Sequence, residues 1–234
     1  MSRRPHTVPP PTDAAPPPLL SLLPNLSVLR LSPEDSTDAG AQKRKYQSKL
    51  TDDTIRAAVK YVLENGGDDY MHPDYGPVAD WDVSDVTDMS WMFDGATSFN
   101  GNLSRWKFPK VTNMSGMFAH AKSFNGDVSD WKFPNVTDMS YMFAGATSFK
   151  GGDLKDWKFP NVTNMEAMFW GATSFDGNVS GWEFPKVTDM SYMFSEATSF
   201  EGVGVLHWKF PMAVDMTNMF DGATRMGGFV ARSG

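Results

Sequence analysis

Apolar residues recur along most of this chain in one fixed phrase. Leu103-x-x-Trp106-x-Phe108 is followed in register by Val128-x-x-Trp131-x-Phe133, Leu154-x-x-Trp157-x-Phe159 and Val179-x-x-Trp182-x-Phe184. Val78-x-x-Trp81-x-Val83 precedes the set and Val205-x-x-Trp208-x-Phe210 completes it. The six tryptophans are spaced by 25, 25, 26, 25 and 26 residues, and the Met-Phe pairs from Met92-Phe93 to Met219-Phe220 keep the same intervals. Each one-residue insertion falls between a Ser-Phe pair and the next Trp, at Gly151-Gly152 and near Val203-Gly204. A loop therefore lies there, and spacing is fixed elsewhere. Self-similarity at this period predicts a solenoid whose units bury their apolar side by stacking on neighbours.

Within a unit, alternation around Trp-x-Phe predicts a short parallel strand with both aromatics inward and the residue between them outward. Proline follows in five units (Pro109, Pro134, Pro160, Pro185, Pro211) and stops the strand. Met139, Met142 and Phe143 sit at i, i+3 and i+4, which predicts a short helical turn with Thr137 as its N-cap and Thr163-x-x-Glu166 as a capping box. Gly101, Gly126, Gly151, Gly177 and Gly202, each two residues past the Ser-Phe aromatic, predict a turn with positive φ. Ahead of the array, Ile55, Ala58, Val59, Val62 and Leu63 form one apolar stripe, so 51–65 predicts an amphipathic helix closed by Gly66-Gly67. One such helix must sit on something, and the array is at hand.

The first forty residues break the pattern. Pro9–Pro11 and Pro16–Pro18 are triplets, and Pro24 splits the apolar patch Leu19–Leu31, which excludes a regular helix. The expected organisation is a disordered Pro-rich tail (1–45), a capping helix and linker (46–75), a six-repeat solenoid (76–226) and a C-terminal tail (227–234). Lys43-Arg44-Lys45 reads as a solvated charge run ahead of the helix. No stretch is long and apolar enough to span a membrane.

The whole sequence of 234 residues carries a net charge of −7, which argues against general nucleic-acid binding. Without Cys it has no disulfide, thiolate metal site or cysteine nucleophile. The four His occupy unrelated places in the repeat, and no phosphate loop, nucleophile elbow or His-Glu-x-x-His occurs. The sequence therefore predicts no catalytic residues, no cofactor and no metal site. The Met-x-x-Met-Phe motif reads as core rather than as a thioether copper site. Asp80, Asp82 and Ser84 alternate but do not complete a calcium loop. Six Asn-x-Ser/Thr sequons, at Asn25, Asn102, Asn113, Asn135, Asn161 and Asn178, mark candidate glycosylation sites.

The positions predicted to face outward form two columns. One holds Asp82, Lys107, Lys132, Lys158, Glu183 and Lys209; the other holds Asp80, Arg105, Asp130, Asp156, Gly181 and His207. The candidate partner-binding residues are Asp82, Arg105, Lys107, Asp130, Lys132, Asp156, Lys158, Glu183, His207 and Lys209. Lysines stacked on neighbouring strands repel one another, so their persistence points to an acidic or polar partner.

The run W-x-[FV]-x-x-V-T-x-M-S-x-M-F-x-x-A-x-S-F-x-G resembles the repeat of BspA-type leucine-rich-repeat surface proteins, over about Thr51 to Thr224. The Leu-Thr-Asp-x-x-Ile-Arg-x-Ala-Val lead-in is similar to helices that precede such arrays. The resemblance implies an α/β repeat solenoid, leucine-rich-repeat-like and right-handed, with short parallel strands, short helical turns and an N-terminal capping helix. It also implies adhesion-type recognition of a protein or glycan at a cell surface or in secreted form. The alternative from the residues is a scaffold subunit that self-associates through its C-terminal edge.

Overall fold

The computed structural model describes residues 46, 49–65, 70–210 and 213–226. The expected tail (1–45), Gly66-Gly67, Pro211, Asn25 and the C-terminal tail (227–234) lie outside them.

Helix α1 spans Asp52–Asn65. Thr51 precedes it, and Thr54 Oγ1 accepts the Thr51 amide at 3.0 Å while Thr51 O accepts the amides of Thr54 and Ile55. Asp52 and Asp53 place negative charge in the first turn, at the positive end of the helix dipole. Ile55, Ala58, Val59 and Val62 are buried, whereas Leu63, the last member of the predicted stripe, is 37% exposed.

A hairpin follows, with β1 (Met71–His72) antiparallel to β2 (Gly76–Pro77). His72 is buried beside the rings of Tyr61, Tyr75 and Trp81. Its Nδ1 accepts the amides of Asp74 and Tyr75 at 3.1 and 3.4 Å, so a proton there has no place. Burial holds the imidazole below its ordinary value of 6.5, against the pull of Asp74. The unfolded chain thus binds this proton more readily than the folded one. His72 contributes fully above about pH 6.5, and stability declines as pH falls below that value toward the folded pKa. We expect the urea midpoint to drop between about pH 7.5 and pH 5, and His72→Asn, which keeps an acceptor in place of Nδ1, to remove the part of that drop nearest pH 6. An unchanged pH dependence in the Asn variant would contradict this role.

From Met89 onward the backbone of each unit is tied to the next by four amides. Met89, Trp91, Phe93 and Gly95 donate to the carbonyls of Asn113, Ser115, Met117 and Ala119 at 2.8–2.9 Å. The same set recurs at every later junction, for example Met139, Tyr141, Phe143 and Gly145 to Asn164, Glu166, Met168 and Trp170. Intervening amides close local turns, as in Met142 to Met139 O and Ala144 to Tyr141 O. All four bonds of a junction run the same way, from the earlier unit's N–H to the later unit's C=O. A threonine ladder runs beside them in the opposite sense, with Thr112 N to Thr87 O and Thr137 N to Thr112 O.

This arrangement corrects two expectations. The Met-x-x-Met-Phe segment is not a helical turn. Alternate amides leave it sideways, and the residue before Met-Phe adopts left-handed backbone (Trp91 φ 56, Tyr141 φ 57, Tyr192 φ 56), which a helix excludes. Nor is Trp-x-Phe a ladder strand. The parallel bridges that recur from unit to unit fall instead at Asp88, Asn113, Asp138, Asn164, Asp189 and Asp215; near the Trp phrase there are two single bridges, Lys49 to Asp82 and Asp153 to Asn178. In the Trp phrase the backbone closes on itself, Trp106 N bonding Leu103 O, and the lateral bond comes from the side chain. Each indole Nε1 from Trp106 to Trp208 donates to the carbonyl three residues before the preceding Trp, at 2.7–3.1 Å. An indole ladder thereby replaces a peptide ladder.

Caps differ from expectation as well. Thr137 and Thr163 hydroxyls donate to the threonine carbonyl of the preceding unit. The turn amides are met by the next residue, Asp138 Oδ1 accepting from Ser140 N and Asn164 Oδ1 from Glu166 N. Of the five glycines predicted to need positive φ, only Gly151 and Gly202 have it. At Gly101, Gly126 and Gly177 a Cβ would stand 2.8–3.0 Å from the Phe two residues earlier, so the requirement is space.

The core is a set of aromatic columns. Phe93, Phe118, Phe143, Phe169, Phe194 and Phe220 stack face to face at 5.2–5.7 Å. A second column runs through Phe99, Phe124, Phe149, Phe175 and Phe200 at 5.5–6.1 Å. Methionines and valines of the first five units fill the space between, nearly all below 5% exposure, whereas Met216 of the sixth is 39% exposed.

Helix α1 meets the first unit by supplying groups that another unit would otherwise present. Asp52 accepts the amides of Thr87 (2.7 Å) and Asp88 (3.2 Å) and the Thr87 hydroxyl (2.6 Å), while Arg56 donates to Ser90 O at 2.9 Å. Partial burial of Asp52 opposes its ionisation, but these bonds outweigh it and hold the carboxyl below its ordinary range. We expect Asp52→Ala to cost about 1.5–3 kcal/mol in urea unfolding, the range for hydrogen bonds to a charged group. A loss under about 0.5 kcal/mol would mean that the helix docks by its apolar face alone.

Candidate functional site

The outward charges predicted to meet a partner are held by the buried tryptophans and phenylalanines beside them. Among the ten, Asp82 is half-buried and the others are exposed. The structure brings them together as two shallow depressions with a less committed stretch between. At the first depression, about 260 Å³, Asp80, Asp82, Arg105 and Lys107 surround Trp81 and Val83. Arg105 pairs with Asp80 at 2.6 Å, and Asp82 Oδ1 accepts the Ser84 amide. Asp82 is therefore partly a turn residue, and its carbonyl also takes the Leu50 amide.

The second depression, about 330 Å³, is lined by Ser180, Gly181, Trp182, Glu183, His207 and Lys209. Lys158 reaches it from the neighbouring unit, donating to Gly181 O at 2.9 Å with Glu183 Oε1 at 3.5 Å. Gly181 stands in a column otherwise made of charged residues for a steric reason. A Cβ there would lie 2.2 Å from the Lys155 carbonyl.

Between the depressions, Asp130, Lys132 and Asp156 are exposed and make no side-chain hydrogen bond or ion pair among the described residues. Exposed pairs such as Arg105–Asp80 contribute little to folding, and Asp130, Lys132 and Asp156 have no fold role to explain them.

Other polar groups escaped the reading of the sequence. Asp85 is shared by Lys110 (2.7 Å) and Lys49 (3.0 Å), and their hydrogen bonds, Lys110 first, hold its carboxyl below the ordinary range. Tyr141 OH donates to Glu166 Oε1 at 2.6 Å; burial, then that carboxylate, pushes the phenol well up. His120 Nδ1 lies 3.1 Å from Asp94 Oδ1. The sequence did carry a signal for Tyr141. The position before Met-Phe reads Trp91, Gly116, Tyr141, Ala167, Tyr192 and Asn218, alternating large and small until the last unit, and Trp91 covers Gly116 and stacks toward Tyr141 at 6.4 Å.

No group of three or more potential metal-ligating side chains occurs among the described residues. No helix among them is long and apolar enough to cross a membrane. At the sequons, the Nδ2 atoms of Asn135, Asn161 and Asn178 donate to Pro109 O, Pro134 O and Asp153 Oδ1, so a glycan on any of these would break a bond between units.

The family model described as "Mycoplasma protein of unknown function, DUF285" matches residues 70–152 and again residues 150–230. No curated protein and no solved structure matches the chain. With two matches that together span most of its length, the chain belongs to the DUF285 family of repeat proteins.

Proposed function

We propose that this chain is a non-catalytic recognition module that binds a protein or glycan partner through its repeat surface. In this reading it is a leucine-rich-repeat-like, right-handed α/β solenoid of BspA type, acting as a surface or secreted adhesion protein. Turns tied by indoles stand where the sequence predicted strands, and one-residue bridges with left-handed turns stand where it predicted helical turns. The observation that carries the reading is the contrast between a repeated core and an outward surface that varies. Along Asp82, Lys107, Lys132, Lys158, Glu183 and Lys209 the charge is positive across the three middle lysines and changes sign on either side of them, on a backbone whose lateral bonds do not change. Asp130, Lys132 and Asp156, like Lys107, His207 and Lys209, make no side-chain hydrogen bond or ion pair among the described residues. Repeat proteins use such a surface for binding.

The test probes a glycan array and solubilised surface proteins with the full chain and with the triple variant Lys107→Glu, Lys132→Glu, Lys158→Glu. Binding to a defined partner is expected to fall by about tenfold or more in the variant. A partner bound equally well by the wild type, the triple variant and a Asp130→Lys, Asp156→Lys variant would refute this surface as the site.

A second reading, a structural subunit that docks through an edge, draws on the one-way ladder. The amides of Met216, Asn218, Phe220 and Gly222 hold the donor positions of the sixth unit and have no acceptor among the described residues. Donors do not pair with donors, so two such edges cannot join symmetrically through these bonds; a head-to-tail contact can. Sedimentation velocity over a hundredfold concentration range, about two decades, separates the readings. A monomer throughout supports recognition, and reversible association supports assembly.

A further inference from the structure

A groove of about 330 Å³ runs between the second half of α1 and the first unit, and no residue of the charged columns lines it. Val59, Leu63, Trp91 and Met92 wall it; Lys60 and Glu64 stand at its rim, 3.9 Å apart, and Arg56, paired with Asp88 at 3.5 Å, also lines it. The groove is open because of two local events. Trp91 sits in left-handed backbone, and its indole occupies the place a side chain at Gly116 would take, which turns the ring toward the second unit. Leu63, one turn beyond Val59, is exposed.

The first unit's backbone is also incompletely bonded here. In the second unit, Ser115 O, Met117 O and Ala119 O accept the amides of Trp91, Phe93 and Gly95. The equivalent carbonyls of the first unit belong to Ser90, Met92 and Asp94. Arg56 donates to Ser90 O, but those of Met92 and Asp94 accept no hydrogen bond among the described residues. Two acceptors therefore remain at the spacing that alternate amides of a neighbouring chain fill at every other junction. The exposed Leu63 and the half-buried Trp91 line the groove with Met92.

We infer that this groove binds an extended segment of a partner protein, whose alternate backbone N–H groups donate to Met92 O and Asp94 O while its apolar side chains pack on Leu63, Val59 and Trp91. The contact continues the chain's own unit-to-unit bonding in trans, as strand addition does at a sheet edge. Lys60 is paired with Glu64 and Arg56 with Asp88, so each cation at the groove is matched by a carboxylate, and apolar side chains and peptide amides carry recognition. This site is separate from the charged columns and does not depend on them.

The probe is a displayed library of short random peptides selected on the full chain and counter-selected on Leu63→Glu, a change at an exposed position that leaves the core intact. Enriched peptides are expected to be apolar at alternate positions and to lose binding about tenfold or more to Leu63→Glu. N-methylation of one alternate set of residues should abolish binding, and methylation of the other set should leave it. Two results would overturn the inference: no enrichment of wild type over the variant, or peptides indifferent to N-methylation in both registers. Peptides lost with Lys107→Glu, Lys132→Glu, Lys158→Glu but kept with Leu63→Glu would belong to the charged surface and would also overturn it. Self-association of the chain in sedimentation velocity that Leu63→Glu abolishes would assign the groove to a second copy instead.

Discussion

Trp157→Ala is expected to destabilise the protein by about 3–5 kcal/mol, the range for emptying a fully buried Trp site. The indole is at 0% exposure, lies parallel to Trp182 at 6.0 Å and takes the edge of Phe133 at 4.8 Å. Its Nε1 donates to Val128 O at 2.9 Å, so truncation removes both packing and one lateral tie between units. Trp157→Phe separates the two effects. It retains most of the ring volume but not the donor, and the Val128 carbonyl keeps only the Trp131 amide. That variant should lose about 1–2 kcal/mol. Because the backbone bonds between units join neighbours only, a break in the middle should uncouple the two halves and broaden the urea transition. Unfolding followed by near-ultraviolet circular dichroism reads both. A loss below about 1 kcal/mol for Trp157→Ala would mean that the column does not hold the array together.

Gly181→Ala carries the second large effect. At 2.2 Å from the Lys155 carbonyl, a Cβ meets backbone rather than a side chain that can turn away. This junction is also the most tightly tied. Leu154 donates to Asn178 O and Asn178 to Gly152 O, in addition to the four regular bonds between these units. Relief requires parting the two units, at about 1–3 kcal/mol or more. The comparison is Gly152→Ala, where φ is 72° but nothing lies within 4 Å of the added carbon. There only the left-handed backbone penalty of about 1–2 kcal/mol applies. The ranking, with Gly181→Ala the worse, separates a close approach from a conformational demand, and the reverse order would contradict the packing at Lys155.

Much of the burial was legible in the sequence because it depends on side-chain identity at fixed intervals. Ile55, Ala58, Val59 and Val62 are recognisable as a helix face from their spacing alone. The buried Trp, Phe and Met positions are recognisable from recurrence at 25 or 26 residues. The path of the backbone was less legible. Met139, Met142 and Phe143 fit a helical period equally well when the intervening Tyr141 is left-handed, since periodicity records which side chains face inward and not where the amides go. Trp-x-Phe has a strand's alternation, but its lateral bond is made by an indole, and no pattern of apolar residues encodes that. Thr137 and Asp138 are both good caps; only the neighbour at Thr112 decides that threonine bonds sideways while aspartate caps the turn. For the candidate surface, outward positions such as Lys132 and Asp156 followed from alternation around Trp. The pairing of Lys158 with Gly181 O and Glu183, and of Arg105 with Asp80, depends on which units are adjacent and how far they stand apart. The groove beside Trp91 was illegible, because it exists only through the absence of a side chain at Gly116 and the docking of α1.

The central claim is that units join through amides that leave the chain sideways in one direction. Scalar couplings across hydrogen bonds, measured by NMR on the full chain labelled with nitrogen-15 and carbon-13, test it bond by bond. The account predicts cross-peaks from the amide nitrogens of Phe118, Phe143 and Phe169 to the carbonyl carbons of Met142, Met168 and Met193. Couplings from the same amides to the carbonyls four residues earlier would make these segments helical and contradict it.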